Sequence, residues 1–302
     1  MTTYTKLTLD QATEAFLRDG YVLLPQLLSP AEITALQDDS ADIISAGYEG
    51  HANPTDYFHD LLPDTGEEVF HRVQYVFPKA RRNSFLILLA HPFVLKLVHH
   101  LLGDDFLCAA EALVFKLPGN GREVPVHADC NPADPQLSPL IFNVDYYLDD
   151  STQANGCLYV APATHKLRLS SQEIGAQGFA FPGLIPLEAH AGDVLFHDTR
   201  LVHGSFRNSR TGSLRRTLYY EFQSLAELLK QGGPRPGFAP TEAFLQDRFK
   251  LLMHAIDARK TAPYTQTELP YPYQPPTSYP VSWPQSAELA NLRPALVYNK
   301  YI

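Results

Sequence analysis

The feature that most limits what this chain can fold into is the way it is cut up after Asp105. From there to Phe222, short apolar stretches alternate with Gly, Pro, Asn and Asp, a pattern of sandwiches and barrels rather than of βαβ units. Strands are expected at 106–117, 124–129, 140–148, 157–161, 184–188, 193–198, 201–206 and 214–223, and eight of them suit a jelly roll. The fold class is therefore mainly β with flanking helices, of jelly-roll type. The most informative strand is 141–148, because side chains alternate between the two faces of a strand. Phe142, Val144, Tyr146 and Leu148 share one face, expected to pack under helices, and Asn143, Asp145 and Tyr147 share the other. That polar face lines a wet cavity, or meets solvent as on any edge strand.

Val126-His127-Ala128-Asp129 ends one of these strands with a histidine and a carboxylate two residues apart, so both leave on the same face. A second histidine, His203, follows 74 residues after Asp129 in strand-like sequence. A single His or one His-x-Asp is common by chance. Two histidines and one carboxylate together make the facial set that holds non-haem Fe(II) and leaves the opposite side open. Arg215 and Arg216 stand about a dozen residues further on, where a guanidinium on a neighbouring strand could grip the carboxylate of a second cofactor.

The helices are expected mostly ahead of the strands. Thr8-Leu9-Asp10-Gln11 forms a capping box and Gly20 ends the helix it begins; Ser29-Pro30-Ala31-Glu32 starts another, running to Gly47, and His91-Pro92 to Gly103 a third. Residues 48–84, with little period, read as a lid or substrate loop. His71 and Arg72 lie there, facing substrate or solvent. After the strands, Thr241 to Lys260 has helical spacing and 261–302 is rich in Pro and Tyr, so it is expected to run extended. The chain thus reads as one domain over 1–302: a core of about 8–223, a helical extension over 224–260 and a tail.

With 302 residues and a net charge of −9, the chain buries a full core but offers no broad basic surface, which disfavours nucleic acid and anionic membranes as partners. It has no membrane-length apolar run and no signal-peptide pattern. Three cysteines at unrelated spacings read as buried thiols, expected in a reducing cytoplasm. A small-molecule substrate, acted on by a monomer or homodimer, fits this balance.

Several elements stand in one order: His127-x-Asp129, Asn155-Gly156-Cys157-Leu158 leading to Pro162-Ala163-Thr164-His165, Ala191-Gly192-Asp193-Val194-Leu195-Phe196-His197, then His203-Gly204-Ser205 and Arg215. With Gly20-Tyr21-Val22-Leu23-Leu24-Pro25 ahead of them, this resembles the phytanoyl-CoA dioxygenase family of Fe(II)- and 2-oxoglutarate-dependent oxygenases over residues 8–223. The resemblance implies the double-stranded β-helix form of the jelly roll, with His127, Asp129 and His203 as iron ligands and Ser205 and Arg215 holding 2-oxoglutarate. It implies dioxygen (O2) as the oxidant, succinate and carbon dioxide as products, and most simply hydroxylation of a C–H bond. Related halogenases carry a small residue where Asp129 stands, so the carboxylate argues against halide transfer.

Two departures accompany the resemblance. The family's Pro-Gly-Ser-His turn is Pro162-Ala163-Thr164-His165 here, and its 2-oxoglutarate arginine usually lies one residue nearer the distal histidine than Arg215 does. Parity favours Arg215, which shares a polar face with Thr217, Tyr219 and Glu221, over Arg216. Asp145 aligns with a position often near the co-substrate, and pairing with Arg215 or contact with a substrate hydroxyl are both open to it. His165, His197, His99 and His100 are expected to be structural or exposed. Two rival readings remain: a non-catalytic jelly-roll module, and a zinc hydrolase using the same ligands, which would have no use for Arg215.

Overall fold

The computed structural model describes residues 7–48, 56–62, 65–119, 121–130, 140–208, 213–231, 240–277 and 281–282. Helix α1 (Leu9–Asp19) begins at the Thr8 capping box and ends at Gly20 in a left-handed conformation. Only glycine fits there, since a Cβ would lie 2.5 Å from the His165 ring. The chain turns at once into β1 (Tyr21–Leu24) and then α2 (Pro30–Tyr48).

The segment expected to be a lid is instead a hairpin, β2 (Tyr57–Leu61) and β3 (Glu68–Gln74), on the edge of the main sheet. Residues 49–55, 63 and 64 of that stretch lie outside the described residues. A register shift between Phe58 and His59 breaks the alternation that would have marked the strands. Val69, Phe70 and Val73 are buried, which anchors the hairpin.

Helices α3 (Ser84–Leu89) and α4 (Pro92–Leu102) follow. The strands then run β4 (Phe106–Lys116), β5 (Val124–His127), β6 (Ile141–Tyr147) and β7 (Leu158–Ala161). After α5 (Ser171–Gln177) come β8 (Ile185–Leu187), β9 (Val194–Asp198), β10 (Val202–Ser205) and β11 (Arg215–Ser224). Helices α6 (Leu225–Gln231) and α7 (Glu242–Thr261) close the order.

All strand pairs are antiparallel. The major sheet has the order β1-β9-β6-β11-β4-β3-β2 and the minor one β5-β10-β7-β8, the two sheets of a jelly roll. The outer face of the major sheet carries Phe142, Val144, Tyr146, Leu218, Tyr220 and Phe222, packed with Phe16, Leu36, Leu88 and Val98 from the helices. Phe249, Leu252 and Met253 of α7 and Tyr271 and Tyr273 beyond it join the same core, whereas 278–280 and 283–302 of the tail expected to run extended lie outside the described residues. Between the sheets a smaller core of Tyr147, Leu158, Val160, Leu195 and Leu201 fills one end. The other end is left open as a pocket. Among the described residues no helix is long and apolar enough to cross a membrane.

Candidate metal centre

The register of β5 against β10 places His127 directly opposite His203, with ring centroids 4.4 Å apart. Gly204 makes this approach possible: a Cβ there would lie 3.0 Å from Val126 Cα and 3.1 Å from the Val124 carbonyl. Each imidazole is aimed by its own strand. His127 Nδ1 lies 2.8 Å from the Pro125 carbonyl and His203 Nδ1 2.9 Å from that of Leu201. Donation from Nδ1 to a carbonyl leaves Nε2 as the lone-pair nitrogen, the form a metal needs. Burial, then the nearby His127, lowers the His203 pKa to about 3, which keeps this ring neutral.

Asp129 stands two residues beyond the last residue of β5, with Oδ1 3.3 Å from His127 Nε2. One ligand atom from each of His127, Asp129 and His203 lies within 4.8 Å of the others. Burial works against the Asp129 charge, but the imidazoles of His127, His197 and His203 around it hold its pKa well below the ordinary carboxylate value. Two imidazoles and an ionised carboxylate, on one wall of a pocket, fit a divalent iron.

The second oxygen of Asp129 faces the major sheet. Asn143 Nδ2 donates to Oδ2 at 3.1 Å, and His197 Nε2 lies 3.8 Å from the same atom. His197 is 2% exposed and its Nδ1 is 2.9 Å from Asp145 Oδ2, a contact of charges rather than an aligned hydrogen bond. Burial opposes charge on His197, yet Asp145 and Asp129 on either side raise its pKa to about 10. Of the two roles expected for it, structural or exposed, His197 thus takes the structural one, buried beside the metal site. It is the cross-strand partner of Asn143, a neighbour relation set by sheet order.

The remaining expectations divide. Arg215, 4% exposed, lines the pocket with Ser205, and its guanidinium donates to the Gly156 carbonyl. Arg216 turns the other way, gripping Asp149 at 2.7 and 2.8 Å and reaching Gln37 and Ser40 of α2 at 3.0 Å. Much of the turn suspected of absorbing an extra residue, 209–212, lies outside the described residues. His71 and Arg72 line the pocket, with His71 Nε2 3.0 Å from Asp60 Oδ2. Tyr147 does not: it is fully buried in the core between the sheets, because β6 runs from the open end of the barrel into the filled one. Asp145 also lies off the pocket wall, behind His197, and pairs with that residue rather than with Arg215.

Sequence reasoning passed over Lys116, Arg122 and Glu111, which also line the pocket. Lys116 is the cross-strand partner of Arg215, and its buried ammonium donates to the carbonyls of Arg122 at 2.8 Å, Ser205 at 3.3 Å and Phe206. Burial, with Arg215 beside it, holds its pKa well below the usual lysine value. The signal for Lys116 and Glu111 was their odd place, two charged residues in an otherwise apolar strand.

Fold and site together define a jelly-roll oxygenase of the kind that uses iron and a 2-oxo acid. The family model described as phytanoyl-CoA dioxygenase (PhyH) matches residues 16–217. Dioxygenase FrzG of Cladobotryum sp is 26% identical over 222 residues, covering 69% of this chain and 72% of that protein. AviO1 from Streptomyces viridochromogenes Tue57 superposes with a TM-score of 0.61 at 29% identity, over 74% of this chain and 98% of its own. EctD from S. alaskensis, solved with 2-oxoglutarate and 5-hydroxyectoine, shares the fold at 20% identity, with a TM-score of 0.59 over 79% of this chain and 85% of its own.

The chain belongs to the phytanoyl-CoA dioxygenase family. It is an Fe(II)- and 2-oxoglutarate-dependent dioxygenase, and the zinc-hydrolase and non-catalytic readings fall away.

Proposed function

We propose that this dioxygenase hydroxylates an unactivated C–H bond of a small, polar metabolite, with His127, Asp129 and His203 as iron ligands and Arg215 and Ser205 holding 2-oxoglutarate. The observation that carries the assignment is the convergence of the three ligand side chains on a pocket whose wall also presents a buried arginine. When bound, iron with 2-oxoglutarate and dioxygen supplies a strong one-oxygen oxidation, releasing succinate and carbon dioxide. The chain's own residues do the rest. The backbone-bonded imidazoles keep their Nε2 atoms turned inward, and the Arg215 guanidinium, shielded from water, meets the distal carboxylate of the 2-oxo acid.

The polar substrate is read from the walls. Ala110, Ala112 and Val114 leave room, while His71, Arg72, Glu111, Tyr219 and Glu221 offer charge and hydrogen bonds. Such a wall suits a compact molecule with several polar groups better than a long acyl chain.

The test is an anaerobic titration of Fe(II) and then 2-oxoglutarate, followed through the visible charge-transfer band, with succinate release assayed in air. His127→Ala, Asp129→Ala and His203→Ala are each expected to abolish turnover in a folded protein. Full activity in any one of them overturns the ligand assignment.

A further inference from the structure

We infer that Asn143, His197 and Asp145 form a positioning device for Asp129, fixing its outer oxygen so that the carboxylate meets the metal through one oxygen alone. The inference rests on the ligand assignment proposed above. Three observations carry it. First, Asp129 lies beyond the end of β5 at His127, whereas the two histidines sit on strands and are aimed by carbonyls two residues back in the chain. Second, two nitrogens from neighbouring major-sheet strands, Asn143 Nδ2 and His197 Nε2, lie 3.3 Å apart and converge on Asp129 Oδ2. Third, Asp145 is 0% exposed, and the one ion pair it makes among the described residues is with His197, at 2.9 Å.

A buried carboxylate is costly to keep unless it serves a partner. Asp145 does not line the pocket and so does not face substrate. What it does is hold the His197 ring in place, with Nε2 turned to the metal ligand. Groups that orient a ligating side chain govern metal affinity almost as strongly as the ligands do. With Oδ2 held by the Asn143 donor and faced by His197 Nε2 at 3.8 Å, Oδ1, 3.3 Å from His127 Nε2, is the oxygen that would hold the iron.

The decisive variants separate positioning from stability. His197→Phe alone strands the Asp145 charge and is expected to destabilise the fold. His197→Phe combined with Asp145→Leu replaces the pair by apolar groups and is expected to fold as well as the wild type. If the pair orients Asp129, the folded double variant still binds Fe(II) about 10- to 100-fold more weakly, with a shifted charge-transfer band once 2-oxoglutarate is added. Asn143→Ala, which removes the 3.1 Å bond to Asp129 and the 3.3 Å contact with His197, is expected to act in the same direction. Tyr147→Phe, on the same strand but in the core between the sheets, should leave iron affinity unchanged. Wild-type iron affinity and band position in the double variant, or in Asn143→Ala should the double fail to fold, overturn the inference. Wild-type protein that takes up no iron fails the ligand assignment instead, so the two failures are distinguishable.

Discussion

Arg215 and Arg216 are adjacent, chemically identical and wholly different in their work. Arg215→Ala is expected to raise the 2-oxoglutarate requirement ten- to a few hundred-fold, the loss of roughly 1.5 to 3 kcal/mol of charged hydrogen bonding. Iron binding should persist, since the arginine is no ligand. Arg216→Ala should leave that requirement alone and cost about 3 kcal/mol of stability in urea unfolding, because Asp149 then loses its partner in a largely buried pair. The thiols offer a second residue-level check. Cys108 and Cys157 are fully buried, with pKa values pushed up by burial to about 12 and about 11. A thiol reagent at pH 8 should therefore label native protein at Cys130 alone, as read by mass spectrometry. That Arg215 faces the pocket and Arg216 the helices was legible because parity separates the two arginines. The role of His197 was not: parity placed it off the apolar face, but only the order of strands says that Asn143 is beside it.

At the level of elements, the eight expected strands all form, each within about two residues of its expected ends. The turn residues that bound them act locally, so one sequence suffices to see them. The two strands of the hairpin at 57–74 escaped because their alternation is interrupted and their inner-face residues are polar for the sake of the pocket. The helix α3 escaped for the opposite reason, as Ser-Phe-Leu-Ile-Leu-Leu is buried throughout and has no period to read. Phe70 tests whether the hairpin is structural. It stacks on His59 at 4.5 Å and meets Phe115 edge-on at 4.8 Å, and Phe70→Ala should cost about 3 to 5 kcal/mol in denaturant unfolding. A free lid would show almost no change. Gly204→Ala probes β10 in a different way: the added methyl must push β5 aside, and the result should be weaker Fe(II) binding in the anaerobic titration.

Across the whole molecule, the jelly roll was visible in the spacing of turns, but the place of the C-terminal third was not. Periodicity marks α7 as a helix without saying which surface it covers. Arg248 of α7 reaches through to Glu111 on the pocket wall at 2.8 Å, both groups being buried. Arg248→Ala should therefore destabilise the protein by about 3 to 5 kcal/mol, measured by thermal or urea unfolding, since it leaves a carboxylate alone in the interior. One asymmetry of the metal centre reaches furthest. Both histidines are steered by carbonyls two residues back along the same chain, whereas the aspartate depends on side chains from β6 and β9. On the proposed ligand set, substitutions elsewhere in the barrel bear on the carboxylate before they bear on either imidazole, so that corner of the pocket is where the reaction performed is most open to change.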